Sequence, residues 1–514
     1  MKAWKTVGFV LLGLTACQLP QQEKTAPAVE RFMRSKIEKC VKNLFFDYER
    51  LASEIENYFV YFDEDSALHR RDLVYDFYAS LNYEPYWIDI SDTLQKAEYL
   101  HVLASAKLHG LNKNTYHFDR LVTNLENLSF FYFETGEINY QLWAESEVLL
   151  SDALILLAEH LKFGVFNPLN CHDYHYFIPP IDTVFDPFEV FFVEDLPHFF
   201  DNLVTSPHYR ALQREFIKRL ETPEYLRTNR DVDTLNILRV NLERWRWNPL
   251  FVDTGRVVYV NIPAFEMFVF RDDSVLMWSR VCVGMRRPSD YAALRREFLR
   301  NPRTTQRPRH NETPIFKDAI SYMVLNPRWY VPHSIARGQV LRNIHRDSTY
   351  LSRMGYLVFQ GNTQIDPNTV DWQSVTPDNL SFRFIQSSGA QNAMGRMKFM
   401  FPNRFSVYLH DTPSKREFSR RNRAVSHGCV RVENYLEFAL VLLEDMPRYN
   451  RDYLRKAIGL DRSVSQDQLR TTSLFFRPPI PIIIDYKTAW IDADGNLQIY
   501  TDVYERDRLI LAVL

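Results

Sequence analysis

The chain has 514 residues, of which 46% are hydrophobic and 25% charged, and its formal net charge is −2 at pH 7. This composition is ordinary for a globular protein, and roughly 150 residues per domain allow two or three domains. Because the net charge is close to zero, no global field favours nucleic acid, and we expect no nucleic-acid partner.

The amino terminus has the features of a secretory signal. Lys2 and Lys5 precede a short apolar run at 7–14, which is followed by Leu-Thr-Ala-Cys ending at Cys17. The run is far shorter than the ~20 apolar residues that span a bilayer. The four residues ending at Cys17 resemble a lipobox, so we expect 1–17 to be a lipoprotein signal peptide and Cys17 to be lipidated. A plain signal peptide with an incidental cysteine is the alternative.

The segment 18–29 is polar with two prolines and is typical of a flexible tether. From about residue 30 to 250 the pattern is mainly helical. Residues 146–163 are apolar almost all round, which predicts a helix buried on most sides. Leu235, Leu238 and Leu242 recur at helical spacing and predict an amphipathic helix that ends before Pro249.

From Arg256 the hydrophobic period changes to two, which predicts a β-hairpin over about 257–283 that opens a β-rich domain. The next segment, 286–311, is an insertion rich in Arg and Pro. Nine arginines lie between Arg280 and Arg309, against only Asp290 and Glu297. We interpret the insertion as a solvated, mobile loop. An electrostatic contact with peptide carboxylates or lipid headgroups is the alternative.

A short alternating run at 405–409 ends at His410, and Ser-His-Gly-Cys at 426–429 follows a strongly basic loop. The thiolate is the reactive form of cysteine, so a nucleophilic cysteine needs a nearby base or a positive field. Gly428 permits backbone angles suited to amide groups that point at an oxyanion. We therefore interpret Cys429 as a nucleophile and His410 as its base.

Zinc is an alternative for the same segment, because His410, Asp411, His427 and Cys429 are all possible ligands. The segment has no Cys-x-x-Cys pair, which zinc sites often contain. We therefore expect no metal and no cofactor.

His410 with the downstream Ser-His-Gly-Cys resembles the signature of L,D-transpeptidases with a YkuD-type catalytic domain. Further segments resemble the large YcbB-like branch of that family. They are Glu-Arg-Trp-Arg-Trp at 243–247, Val-Asn-Ile-Pro at 260–263, Thr-Pro at 313–314, Asn-Pro-Arg-Trp-Tyr-Val-Pro at 326–332 and Asn-Ala-Met-Gly-Arg-Met-Lys-Phe at 392–399.

The resemblance implies an α+β fold. A mainly helical scaffold domain at 30–250 would precede a β-rich catalytic domain at 251–505, with a capping subdomain inserted at about 326–384. Relatives often carry a peptidoglycan-binding module before the Glu-Arg-Trp helix. Here only a short charged stretch precedes that helix, too small for another three-helix core, so we expect the module to be missing.

The activity that the resemblance implies is formation of 3→3 cross-links between peptidoglycan stem peptides, through an acyl-enzyme on Cys429. The implied oxyanion or orienting residues are Gly428, His427, Ser426 and Asp411, where either the backbone carbonyl or the side chain of Asp411 orients the imidazole. The implied substrate-binding residues are Arg431, Tyr408 and Arg396.

Two other functions stay open: a hydrolase that trims stem peptides on the same module, and an inactive lipid-anchored structural protein. By lipoprotein sorting rules Gln18, which follows Cys17, favours the outer membrane. We therefore expect a lipid-anchored protein on the periplasmic face of a Gram-negative envelope, with activating partners unassigned. A disulfide between Cys40 and Cys171 is undetermined, and Cys282 is expected to be a small buried residue.

Overall fold

The computed structural model describes residues 46–61, 68–87, 98–172, 176–178, 185–204, 206–247, 255–272, 274–302, 308, 310–461, 463–465 and 468–514. The expected signal peptide, tether and lipidation site lie outside these residues, as does Cys40. No helix in the described ranges is long and apolar enough to cross a bilayer.

The amino-terminal half is helical. Its α-helices are α1 Tyr48–Tyr61, α2 Arg71–Ser80, α3 Glu98–Ser105, α4 Phe118–Thr135, α5 Tyr140–Phe163, α6 Pro168–His172, α7 Leu196–Asn202, α8 Pro207–Leu220 and α9 Asn229–Trp247. Residues 221–228 alone connect α8 to α9.

Helix α5 is the centre of this half, and it is buried on nearly all sides, as its apolar sequence predicts. It begins at Tyr140 because the Asn139 side chain accepts a hydrogen bond from the Leu142 N–H, which caps the first turn. Its buried Glu147 accepts hydrogen bonds from the Trp87 N–H at 2.7 Å and the Tyr78 hydroxyl at 3.0 Å. These partners satisfy a carboxylate inside an apolar core.

The carboxy-terminal half is built on β-strands, and one short strand of the helical half, which lies between α6 and α7, joins them. The strands are β1 Tyr176–Phe177, β2 Arg256–Asn261, β3 Glu266–Arg271, β4 Ser274–Gly284, β5 Ile315–Leu325, β6 Trp329–Tyr330, β7 Tyr356–Gln360, β8 Thr363–Ile365, β9 Phe382–Gln386, β10 Met397–Met400, β11 Leu409–His410, β12 Ala424–Ser426, β13 Val430–Val432, β14 Thr472–Asp485, β15 Ala489–Ile491 and β16 Leu497–Ile499.

Ten of these strands form one sheet in the order β1-β5-β10-β11-β13-β4-β3-β2-β14, with β12 beside β4. Strand β14 pairs in parallel with β2 and antiparallel with β5, so the path of strands closes on itself. The closed sheet surrounds an apolar core that includes Met323, Phe399 and Val430. The helical half followed by this sheet confirms the predicted α+β class.

A small subdomain is inserted between β5 and β10. It contains the sheet β6-β9-β7-β8, the helices α11 His333–Ile335, α12 Leu341–Arg346 and α13 Tyr350–Arg353, and a π-helical turn at Ala336–Val340. Val340, Leu341, Val358 and Phe384 belong to its own apolar core. A separate core allows this unit to hold its shape independently of the large sheet.

The remaining helices are α10 Tyr291–Arg300, α14 Tyr435–Leu442, α15 Arg451–Ala457 and α16 Asp507–Leu511. After β14 the chain returns to the helical half, where Ala489 is part of its core. The Lys487 amine donates to the Arg244 carbonyl at 2.7 Å, and the Asn241 amide donates to the Thr488 hydroxyl at 2.8 Å. The carboxy-terminal segment therefore fastens the two halves together.

Two local predictions were wrong. The Arg-rich insertion contains helix α10, because arginine is a good helix former and Tyr291 is buried under the Arg287 guanidinium at 4.6 Å. The alternating run before His410 is a strand only at β11. The Asn403 side chain accepts from the N–H groups of Phe405 and Val407 and folds the preceding residues into a turn.

Candidate active site

The register of the central strands places the candidate nucleophile and base on one face of the sheet. Leu409 pairs with Val430, and His410 pairs with Arg431. Because side chains alternate between faces along a strand, Leu409 and Val430 enter the core while His410 and Arg431 emerge on the opposite face. Cys429 lies two residues before Arg431, so its side chain shares the face of His410.

The surroundings of His410, the candidate base, fix its tautomer and its charge. Its side chain is buried, and Nδ1–H donates to the backbone carbonyl of Asp411 at 2.5 Å. With the proton on Nδ1, Nε2 is left as a proton acceptor. Burial, and then the charges of Arg431, Lys398 and Lys415, lower the pKa of His410 to about 3. The imidazole is therefore uncharged at neutral pH.

Cys429 is a half-buried thiol at rest. Burial raises its pKa to about 11, while hydrogen bonds from Tyr408 and the charges of Arg431 and Lys398 act in the opposite direction. The sulfur lies 3.9 Å from the carbonyl oxygen of Ser406. The resting pair is thus a neutral thiol and a neutral imidazole, and the thiol needs its base to react.

The loop that carries Cys429 is held by its own side chains and by a neighbouring segment. The Ser426 hydroxyl donates to the Cys429 carbonyl at 2.5 Å and accepts from the Gly428 N–H at 3.1 Å. Gly428 has φ +114°, which only glycine adopts readily, and its carbonyl accepts from the Thr313 hydroxyl at 2.8 Å.

These contacts distinguish the N–H groups of Gly428 and Cys429, the two amides expected to bind an oxyanion. The Gly428 N–H is already used within the loop. In the described part of the chain no acceptor lies opposite the Cys429 N–H. The free donor at the site is therefore the amide of the nucleophile itself.

Asp411 acts on His410 through its backbone, which decides between the two arrangements left open by the sequence. Its carboxylate accepts from the Arg396 N–H at 2.8 Å and the Thr412 N–H at 2.7 Å, and it pairs with Lys415. It thereby fixes the turn at Gly395, where an added Cβ would lie 2.3 Å from the carboxyl group.

The other predicted residues differ in their surroundings. Arg431 pairs with Glu417, and the Arg396 guanidinium donates to the carbonyl of Ile458. The Tyr408 ring lies 5.8 Å from the His410 ring, on the same face as Cys429. His427 is exposed at the protein surface, and partial desolvation of its ring, followed by the charge of Arg431, lowers its pKa.

Comparison with known proteins agrees with this geometry. Residues 255–447 match the YkuD domain, the L,D-transpeptidase catalytic domain, and residues 72–216 match the Scaffold domain. A putative L,D-transpeptidase of Haemophilus influenzae is 29% identical over 453 residues, which is 87% of this chain and 80% of the relative. The chain therefore contains an L,D-transpeptidase catalytic domain of the YkuD type, preceded by a Scaffold domain.

This catalytic domain makes the protein an L,D-transpeptidase-type enzyme and implies peptidoglycan as its substrate. The matched catalytic domain contains the whole face described above. The zinc alternative gains no support, because the described residues contain no group of three or more His, Cys, Asp or Glu side chains placed to hold a metal ion.

Two residues of this L,D-transpeptidase site, Thr313 and Lys398, were not predicted from the sequence. Thr313 accepts from the Gly284 N–H and donates to the Gly428 carbonyl, both at 2.8 Å. Lys398 pairs with His410 across β10 and β11 and emerges on the same face. The alternation Met397-Lys398-Phe399 was the available signal for Lys398, since a lone lysine between two apolar residues marks the face opposite the core.

Proposed function

We propose that the protein forms 3→3 cross-links in peptidoglycan through a thioester on Cys429. The observation that carries the proposal is the shared face of His410 on β11 and Cys429, which directly precedes the adjacent strand β13, with the imidazole tautomer fixed by the Asp411 carbonyl. A nucleophile, a base and a group that orients the base are the parts that acyl transfer needs.

In the first step His410 Nε2 takes the thiol proton as sulfur attacks the carbonyl of the third stem residue, typically a diaminopimelate. The oxygen of the tetrahedral intermediate takes the negative charge and accepts from the Cys429 N–H. Loss of one such donor costs about 2.7–4 kcal/mol in other enzymes. Collapse breaks the peptide bond, and the imidazolium returns its proton to the departing amine of D-alanine.

In the second step an amine of another stem attacks the thioester. His410 removes a proton from that amine, the carbon–sulfur bond breaks, and the proton returns to the sulfur. The products are a 3→3 peptide bond and the starting thiol–imidazole pair. Because both groups begin and end neutral, the enzyme needs no external proton donor in the cycle.

We also propose that the protein acts from a lipid anchor. Cys17 at the end of the lipobox-like segment would carry the acyl chains, and stable anchoring needs more than one chain. The anchor would hold the enzyme on the periplasmic face of the outer membrane, with the tether at 18–29 providing reach to the wall.

Mass analysis of wall fragments tests the activity. We expect wild-type protein to produce new dimers that lack the terminal D-alanine, and we expect Cys429→Ala to produce none. Cys282→Ala is the matched control, because Cys282 is a fully buried thiol on β4. Shortened monomers in place of dimers would instead assign a hydrolase, and unchanged fragments would leave only a structural role.

A further inference from the structure

Three cations act on the His410 imidazole, and two of them already have anionic partners. Arg431 pairs with Glu417, and Lys415 pairs with Asp411. Lys398 differs: among the residues that the structure describes, its amine has no hydrogen bond and no ion pair. The Lys398 amine lies over the Tyr408 ring, whose centroid is 5.7 Å from Nζ.

The strand register explains why Lys398 faces the site. Met397 and Phe399 on either side of it are fully buried in the core. The residue between them must therefore point to the opposite face, where its cross-strand partner is His410. Lys398 is half-buried there.

The surroundings of Lys398 favour an anion. Burial lowers the pKa of the amine, whereas the neighbouring sulfur of Cys429 raises it. A partly desolvated ammonium without a counterion is unfavourable, and it is stabilised when a carboxylate arrives. The same charge also stabilises a thiolate on Cys429.

We propose that Lys398, and not Arg431, is the anion-binding residue of this site, and that it holds the terminal carboxylate of the donor stem peptide. This inference rests on the proposed function. The carboxylate of the departing residue is bonded to the carbon that follows the scissile nitrogen, so it arrives close to the sulfur. Donors with a free terminal carboxylate are therefore preferred over donors with a blocked terminus.

The first experiment measures the anion site without the transfer reaction. The Cys429 thiolate of the full-length protein displaces iodide from iodoacetate, which is anionic, or from iodoacetamide, which is neutral, and forms a thioether in each case. The rate is followed on the peptide that contains Cys429. We expect Lys398→Met to lower the iodoacetate-to-iodoacetamide rate ratio about five- to tenfold, and Lys398→Arg to restore much of it.

Lys317→Met is the matched control. Lys317 is an exposed lysine on β5 in the same sheet, and it lies seven residues from Val324, the residue that pairs with Lys398. At about 3.3 Å per residue this is more than two Debye lengths from the site at physiological salt. An unchanged ratio in Lys398→Met, or an equal fall in Lys317→Met, overturns the anion site.

The second experiment tests the carboxylate itself. For a donor peptide with a free carboxyl terminus we expect Lys398→Met to raise KM about tenfold, and for the carboxamide donor we expect little change. Equal effects on both donors overturn the assignment of the terminal carboxylate. If wild-type protein turns over neither donor while the alkylation ratio behaves as expected, the proposed function fails and the anion site stands.

Discussion

At the scale of single residues, the reactive pair is governed by burial more than by the basic loop. The exposed Arg416, Arg420 and Arg421 lie in water, where charge is strongly screened. Burial raises the pKa of Cys429 and lowers that of His410, so both groups are held uncharged. In the proposed reaction proton transfer accompanies attack, and the tautomer set by the Asp411 carbonyl leaves Nε2 to take the proton.

Gly395 supports the Cys429–His410 pair indirectly, because it packs against Asp411. It has φ +61°, and an added Cβ would lie 2.3 Å from the Asp411 carboxyl group. We expect Gly395→Ala to lower the free energy of unfolding by about 2–4 kcal/mol, from backbone strain plus steric overlap. Because Asp411 orients His410, kcat should fall as well. Denaturant unfolding and steady-state kinetics measure the two effects.

Gly136→Ala is the control that measures the cost of backbone strain alone, without steric overlap. Gly136 has φ +71°, but apart from its chain neighbours no atom of the residues that the structure describes lies within 4 Å of the position that an added methyl group would take. We expect this variant to lose only about 1–2 kcal/mol and to keep its kcat. Equal losses in the two variants would show that the contact with Asp411 contributes nothing.

At the scale of elements, the loop between β12 and β13 is positioned by the segment that enters β5. Thr313 connects the Gly428 carbonyl to the Gly284 N–H at the end of β4, and the Tyr504 hydroxyl accepts from the Thr313 N–H at 3.1 Å. The Tyr504 hydroxyl also donates to the Gly284 carbonyl at 2.7 Å. Three other segments, which contain Thr313, Gly284 and Tyr504, therefore fix the conformation of Gly428 beside the nucleophile.

Thr313→Val should loosen this loop, because it leaves two buried backbone groups without partners. We expect a loss of about 2–4 kcal/mol in the free energy of unfolding. We also expect kcat to fall about tenfold or more as the Cys429 amide loses its alignment. Thr313→Ser, which keeps the hydroxyl, should retain most of both quantities; a normal kcat in Thr313→Val would remove Thr313 from the positioning of the loop.

At the scale of the whole molecule, the two halves each bury a neutral histidine. Burial, and then the charges of Arg246 and Arg210, lower the pKa of His109 in the helical half to about 3, and His109 Nδ1 lies 2.8 Å from the Tyr209 hydroxyl. His410 in the sheet has a similarly lowered pKa, also about 3. In the unfolded chain each histidine binds a proton near pH 6.5.

The sign of the pH effect follows from this difference. Below about pH 6.5 the unfolded state binds protons that the folded state does not, so stability falls as the pH falls, down to the folded pKa. Each histidine contributes about 1.4 kcal/mol per pH unit in that window. We expect the free energy of unfolding to decrease steadily from about pH 6.5 to about pH 5, where most carboxylates remain ionised.

Unfolding measured at several pH values checks this expectation, with His109→Gln as the comparison. In this variant the free energy of unfolding should change less steeply with pH, because one histidine no longer contributes. A free energy of unfolding that stays constant over this interval would mean that these histidines are protonated in the folded protein.

The sequence by itself determined the class of fold and indicated the kind of enzyme. The changes in hydrophobic period separated a helical half from a β-rich half, and the Ser-His-Gly-Cys segment with its upstream histidine predicted a nucleophile–base pair. These signals are local, because a helix, a strand or a nucleophile loop is encoded within a few residues. The same local signals gave wrong predictions of secondary structure at two places. At Asn403 a side-chain cap, and at Tyr291 a buried ring, outweighed the composition of the segment.

Only the tertiary structure decided which groups of the site are already occupied. The Thr313 hydroxyl donates to the Gly428 carbonyl, although the two residues are 115 positions apart in the sequence. Arg431 is paired with Glu417, while Lys398, among the described residues, is without a counterion. Pairing depends on which strands become neighbours and in what register, and a shift of one residue would send Lys398 into the core. The spacing of residues along the chain does not contain that information, because closure of the sheet brings together segments from both ends of the domain.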